Sequence, residues 1–301
     1  MSSKVKLTFL GTSDAVPSSR RNHTSILLSN DKENILIDCG EGTQRQFRKA
    51  RLSPMKVSRL LVTHWHGDHI LGIPGLLQTL AFEDYKKTLF IYGPKGTKKF
   101  MHAILNAFTF HGKINLKIEE VREGKFFEND DFYLESKQMT HGVPCNAYSF
   151  VKKGKIKIDK KKLKKSGLSE GPILKNFKEG EDIVHQGKKY LAKSLTYMEG
   201  DKKVSFVLDT SFNNKIAPFV KNSDLLICES NFSSDDSDLA KERKHMTSKN
   251  CGEIANKSGS KKLLLTHISR RYDGDLNQIL GEAKKYFKKT SIVNDLDVIQ
   301  I

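Results

Sequence analysis

Cysteine is scarce in this 301-residue chain, and the four present, Cys39, Cys145, Cys228 and Cys251, stand far apart with no CxxC pair. That spacing excludes a disulfide framework and a thiolate zinc knuckle, and it predicts small buried thiols in a reducing compartment. No apolar run approaches the roughly 20 residues of a membrane-spanning helix, so no membrane insertion is expected. The opening MSSKVKLTFL lacks the longer apolar region and small-residue cleavage site of a secretory signal. It alternates like a first strand, and the cytoplasm is the expected location. Acidic residues are also in short supply, 35 against 52 Lys and Arg, for a formal net charge of +17. Such an excess draws polyanions and speeds their encounter, or else merely solvates a lysine-rich chain. Composition excludes neither.

The length suits two average domains or one large layered α/β domain, so the choice falls to pattern. Strand-like runs cover residues 4–10, 24–29, 35–38 and 60–63, with a helix expected at 43–50. Further apolar runs follow near 89–92, 114–121, 131–139 and 147–151, and helical periodicity marks 96–108, 249–257 and 276–287. This mixed order predicts sheets covered by helices rather than a doubly wound parallel fold. Residues 152–165, KKGKIKIDKKKLKK, hold nine lysines and one aspartate and lead into Ser166-Gly167-Leu168-Ser169-Glu170-Gly171-Pro172. A segment of that composition is expected to add little to a core and to project from the body. No solenoid repeat is present, although the strand ends Leu61-Val62-Thr63-His64 and Leu264-Leu265-Thr266-His267 are alike.

The chemistry concentrates in Thr63-His64-Trp65-His66-Gly67-Asp68-His69, which sets three imidazoles and a carboxylate directly after an apolar strand. Gly67 permits a tight turn, so that His64 and His66 face one metal while Asp68 and His69 face another. Completing two coordination shells requires residues from other strand ends. His141, Asp209 and His267 each follow an apolar run. With Asp209 shared, His64, His66, His141 and Asp209 hold one ion, and Asp68, His69, His267 and Asp209 hold the other. Nitrogen and carboxylate donors without thiolates suit Zn2+, two per subunit, with Mn2+ or Fe2+ also compatible.

The His64, His66, Asp68, His69 pattern resembles the HxHxDH signature of the metallo-β-lactamase superfamily. Within it the chain resembles the ribonuclease Z family of transfer RNA 3′-processing endonucleases. The more discriminating likenesses are Phe9-Leu10-Gly11-Thr12-Ser13, Arg21-Asn22, Asp38-Cys39-Gly40-Glu41-Gly42-Thr43-Gln44 and Leu71-Gly72-Ile73-Pro74-Gly75-Leu76-Leu77. His245-Met246-Thr247 is similar to the family's HST loop, and Thr266-His267-Ile268-Ser269-Arg270-Arg271-Tyr272 to its last ligand motif. One departure stands out: the glycine and arginine of the family's GDTR run are Leu208 and Ser211 here.

The resemblance implies one α/β domain over residues 1–301, an αββα sandwich with the metals at one sheet edge. It also implies an inserted flexible basic arm at 152–193 that grips precursor tRNA, and a homodimer. Asp68 would also accept a proton from the attacking water, and His245 would stabilise the phosphorane or protonate the leaving 3′ oxygen. A plain reading of His245 remains: a histidine flanking a helix that Thr247 or Ser248 caps. Glu229 either hydrogen-bonds a catalytic histidine or ends its strand, and Trp65 either stacks on a base or shields the pocket. Because metal ligands alone do not choose the bond cleaved, a small-molecule phosphodiesterase or a thioester hydrolase is the rival expectation. A binding protein with a degenerate metal site is a further one.

Overall fold

The computed structural model describes residues 5–31, 33–110, 114–169 and 171–301. Within these, two seven-stranded sheets form the scaffold. The first runs Val298–Gln300, Val5–Gly11, Ser25–Asn30, Glu33–Ile37, Arg59–Leu61, Thr88–Gly93 and Asn115–Glu120, antiparallel at its start and parallel from Glu33–Ile37 onward. The second runs Thr290–Ile292, Leu263–Thr266, Leu225–Glu229, Lys202–Val207, Cys145–Lys152, Phe132–Met139 and Gly124–Glu128. Its first four strands are parallel.

The central strands are buried on both faces, which is why they read as unbroken apolar runs rather than alternating ones. Every residue of Leu225–Glu229 and of Leu263–Thr266 is buried. On one side of the first sheet, Leu36, Leu60 and Ile91 pack with Phe47, Leu76, Leu77 and Met101 from helices Thr43–Lys49, Ile73–Phe82 and Thr97–Ala107. The second sheet is covered in the same way, Leu226, Cys228 and Leu265 meeting Ile216, Ile254 and Ile279 of helices Ile216–Phe219, Ser248–Ser258 and Asn277–Tyr286. The sheets meet through their other faces, where Tyr148 Oη donates to Val62 O at 2.8 Å and Asn146 N to Thr63 O at 2.9 Å. The layers are therefore helix, sheet, sheet, helix.

Most sequence-read elements appear within a residue or two, and Lys4 of the first strand lies outside the described residues. Several elements escape the sequence reading, two of them in or against the first sheet. The helix Ile73–Phe82 carries Pro74 in its first turn, where proline is tolerated. The strand Val298–Gln300 pairs with Val5–Gly11.

Packing divides the chain into two compact units, one of residues 1–127, 134–150 and 203–301 and one of residues 128–133 and 151–202. The lysine-rich stretch departs from expectation here, because it does contribute to a core. Asp159 caps a helix Lys160–Ser166, accepting from Lys161 N and Lys162 N, and Gly167 closes it at φ 75°. Its single apolar residue, Leu163, is buried with Leu168, Leu174, Phe177, Ile183, Ala192 and Leu195. Lysines on every other side of that helix hide one inward position from any reading of composition.

Candidate metal centre

Strand ends build the site. The register Ile37↔Leu61 places Asp38 beside the chain that leaves Arg59–Leu61, and there Asp38 holds both Thr63 and His69. Its Oδ1 accepts from Thr63 N at 2.7 Å, and its Oδ2 accepts from Thr63 Oγ1 at 2.7 Å and from His69 Nδ1 at 2.6 Å. Thr63 Oγ1 in turn lies 3.1 Å from His64 Nδ1. Both rings thus have Nδ1 engaged with the protein and Nε2 facing inward, the tautomer that metal coordination needs. After His66 the helical turn Gly67–Ile70 delivers Asp68 and His69.

The second sheet supplies the rest. His141 follows Phe132–Met139, with Nδ1 at 3.1 Å from Lys244 O. Asp209 follows Lys202–Val207, and His267 follows Leu263–Thr266. Asp38, Asp209 and His267 have φ of 55°, 44° and 54°, a left-handed conformation costly for residues with a Cβ and found where function demands a side-chain direction. The loop holding Asp209 is tied to the His141 loop by Ser211 N to Thr140 O at 2.8 Å and Thr140 N to Thr210 Oγ1 at 3.2 Å. Backbone bonds therefore shape this loop although Leu208 and Ser211 replace the family's glycine and arginine.

Six of the ten histidines converge here. His64, His66, His141 and Asp209 form one group whose donor atoms all lie within 4.8 Å of one another, and Asp68, His69, Asp209 and His267 form another. In the first, His66 Nδ1 is 3.0 Å from His64 Nε2 and 3.2 Å from His141 Nε2, and Asp209 Oδ2 is 3.6 Å from His64 Nε2. In the second, His69 Nε2 and His267 Nε2 are 3.2 Å apart, Asp68 Oδ2 is 3.2 Å from the former, and Asp209 Oδ1 is 3.2 Å from the latter. Asp209 Oδ1 is buried yet receives no well-formed hydrogen bond. A buried carboxylate oxygen so placed, ringed by inward-facing imidazole nitrogens, fits a cation better than any proton arrangement. The clusters are able to hold metal.

Electrostatics agree. Burial alone would raise the Asp68 carboxyl, but His69 and His267 hold it far below the usual carboxylate range. Asp209 is likewise depressed against its burial by His267, His69, His245 and His64. Burial disfavours protonated His69, but Asp209, Asp68 and Asp38 raise it well above an ordinary imidazole. His64 is lowered by burial first and by neighbouring His69 next.

A third group joins Glu229, His245 and His267. Glu229, fully buried at the end of Leu225–Glu229, accepts from His245 Nδ1 at 2.9 Å. Burial would lower His245, but Glu229 and then Asp209 push it up to about 9. Thr247 caps the helix Ser248–Ser258 with a full capping box, so the capping duty is met without His245. Of the alternatives open for Glu229, the geometry selects contact with the histidine. Trp65 turns from the cluster toward Thr97 and Phe100. Sequence reading missed two supporting residues: Asp38, quoted only as part of a motif, and Asn231, whose Nδ2 is 3.2 Å from His267 Nδ1. An acidic residue ending the strand Glu33–Ile37 was the available signal for the first.

All four cysteines are buried and unpaired, as their spacing predicts. Among the described residues no helix is long and apolar enough to cross a membrane.

Residues 5–157 match the family model described as the anti-Pycsar protein Apyc1. Ribonuclease Z of Nanoarchaeum equitans (strain Kin4-M) is 39% identical over 292 residues, covering 97% of this chain and 92% of that one. Ribonuclease Z of Bacillus cereus (strain G9842) is 35% identical over 306 residues, covering 97% and 98%. Among solved structures, the short form of human tRNase Z superposes with a TM-score of 0.72 at 24% identity, covering 98% of each chain. The metallo-β-lactamase fold protein YhfI from Bacillus subtilis does so with a TM-score of 0.72 at 21% identity, covering 99% of this chain and 100% of that one. These superpositions show the αββα metallo-β-lactamase fold.

Proposed function

Because the chain belongs to the ribonuclease Z family, and its residues 5–157 also to the family described as the anti-Pycsar protein Apyc1, we propose that it is a metal-dependent endoribonuclease that cuts the 3′ trailer from precursor tRNA. The products are a tRNA 3′-hydroxyl and a trailer 5′-phosphate. What carries this reading is the pair of four-residue clusters sharing Asp209, set in a chain that matches ribonuclease Z along 97% of its length. The Apyc1 match stops before Asp209, His245 and His267, so it speaks for less of the site.

His64, His66, His141 and Asp209 would hold one Zn2+, and Asp68, His69, His267 and Asp209 a second. When bound, paired ions supply a nucleophile from water at neutral pH and neutralise charge on the phosphoryl oxygens. The protein's own groups do the rest. Asp68, kept ionised by His69 and His267, orients the attacking water and takes its proton. As the water oxygen bonds to phosphorus, the bond from phosphorus to the 3′ oxygen breaks. His245, whose protonated form Glu229 favours, gives its Nε2 proton to that oxygen, while Glu229 anchors Nδ1.

The arm at 152–193, with exposed lysines of the helix Lys160–Ser166, would grip the tRNA through its phosphates without reading sequence. Cytoplasmic location and a homodimer complete the reading. The test is a 3′-extended precursor tRNA incubated with the purified protein, with and without chelator, beside Asp68→Ala. Cleavage that needs both metal and Asp68 is expected. A metal-loaded protein that leaves the RNA intact but hydrolyses a small phosphodiester or thioester would refute the substrate assignment and leave the site standing.

A further inference from the structure

Trp65 lies between two members of the first cluster but takes no part in it. Its Nε1 donates to Thr97 Oγ1 at 2.9 Å, and the same hydroxyl donates onward to Pro94 O at 2.7 Å, so the indole is held in one orientation. Its ring stacks on Phe100, centroids 5.1 Å apart and planes 28° apart. Phe100 itself is 42% exposed. A lone exposed phenylalanine needs no explanation. This one caps the ring of Trp65, the residue between His64 and His66 in the chain, which is half-buried against the first sheet's core.

The surroundings suit an RNA strand. Lys98 and Lys99 directly precede Phe100 in the first turn of the helix Thr97–Ala107, both exposed, and neither forms an ion pair with a described residue. Glu120 Oε1 already accepts the N–H groups of Gly96 and Lys98 at the start of this helix, at 3.0 and 3.1 Å. Glu120 thus occupies the start of the helix, and the two ammonium groups are the cations available to phosphate. Gly96 borders the ring: a Cβ there would stand 3.1 Å from Phe100 Cε2, and its φ is +101°. A larger residue would crowd the aromatic edge.

We propose that Trp65 and Phe100 form a stacking platform for a nucleobase of the single-stranded 3′ trailer, with Lys98 and Lys99 on the adjoining phosphates. The proposal rests on the RNA-cleaving reading of the metal centre. The acceptor stem of a tRNA has its bases paired and stacked within the helix, whereas trailer bases are free to stack on protein. Trailers also differ in sequence from one precursor to the next, and stacking accepts any base because every base has a π face.

The experiment crosses a change in the RNA with a change in the protein. One precursor carries an ordinary trailer; its twin carries abasic sugars at the first trailer positions. Both are cut by wild type, Phe100→Ala and Phe100→Leu, the last keeping apolar bulk without a ring. In wild type the abasic trailer should lower kcat/KM by roughly tenfold or more, and in both variants by no more than about twofold. In a parallel series, Lys98→Ala with Lys99→Ala should reduce the salt dependence of KM by the equivalent of about two phosphate contacts. An equal abasic penalty in all three enzymes, or none in wild type, overturns the platform while leaving the nuclease reading intact. A wild type that cuts neither RNA yet hydrolyses bis(p-nitrophenyl) phosphate overturns the nuclease reading and the platform with it.

Discussion

Glu229 uses its two oxygens on two different loops: Oε2 accepts from His245 Nδ1 at 2.9 Å and Oε1 accepts from Thr210 N at 2.7 Å. One buried carboxylate thus holds both His245, the proposed proton donor, and the residue next to Asp209. Glu229→Gln keeps the shape and removes the charge that raises His245 to about 9. A raised imidazole stays protonated to higher pH, so losing its partner carboxylate lets the proton leave earlier. The alkaline limb of kcat against pH should move to lower pH in the variant. A limb that stays in place would show that His245 is not the acid.

Metal uptake should release protons. His69 and His267 are both held above the ordinary imidazole value by Asp209 and Asp68, against the effect of burial, and ions must displace those protons to bind. Zn2+ affinity, measured by competition with a chromophoric chelator, should therefore fall as pH drops from about 8 to about 6. Asp209→Ala removes the shared ligand, and its bound zinc, read by elemental analysis, should fall from two ions per chain to below one. Two ions retained would break the assignment of Asp209 as a bridge.

Asp38 touches no proposed metal position, yet it sets Thr63 and His69. Asp38→Asn puts an amide donor where a carboxylate accepted, and metal affinity should drop about 10–100-fold. Added Zn2+ should restore much of kcat, whereas Asp68→Ala should stay inactive at any zinc concentration.

Leu163→Ala should loosen the unit formed by residues 128–133 and 151–202, since truncating a buried leucine costs about 2–5 kcal/mol. Hydrogen exchange should rise across the helix Lys160–Ser166 and its packing partners, and KM for precursor tRNA should rise more than kcat falls. Unchanged exchange there would mean that Leu163 is not part of that core.

The residues of the two clusters were legible because they follow apolar strands and because four of them fall within six consecutive positions, where chance is a poor explanation. Asp38 was not, since its role depends on the pairing of Ile37 with Leu61, and register is not written in either strand alone. Asn231 escaped for the same reason, reaching His267 from 36 residues away. The helix Ile73–Phe82 opens on Pro74 and Gly75, residue types that usually interrupt a helical pattern. In the structure the proline occupies the first turn, and a Cβ at position 75 would come within 2.9 Å of Gln44 Oε1. The core around Leu163 was masked by lysines that composition counts and geometry turns outward.

His69 and His267 are 198 residues apart in the chain and 3.2 Å apart in space. An ion gripped by both is a cross-link that closes a loop far longer than the average, and the entropy removed from the unfolded chain grows with the length of the loop closed. In a protein whose thiols are all unpaired, the catalytic metals would take the place of the missing disulfides. They would join His69, which follows a strand of the first sheet, to His267, which follows a strand of the second, so starving the protein of zinc should cost it heat resistance together with activity.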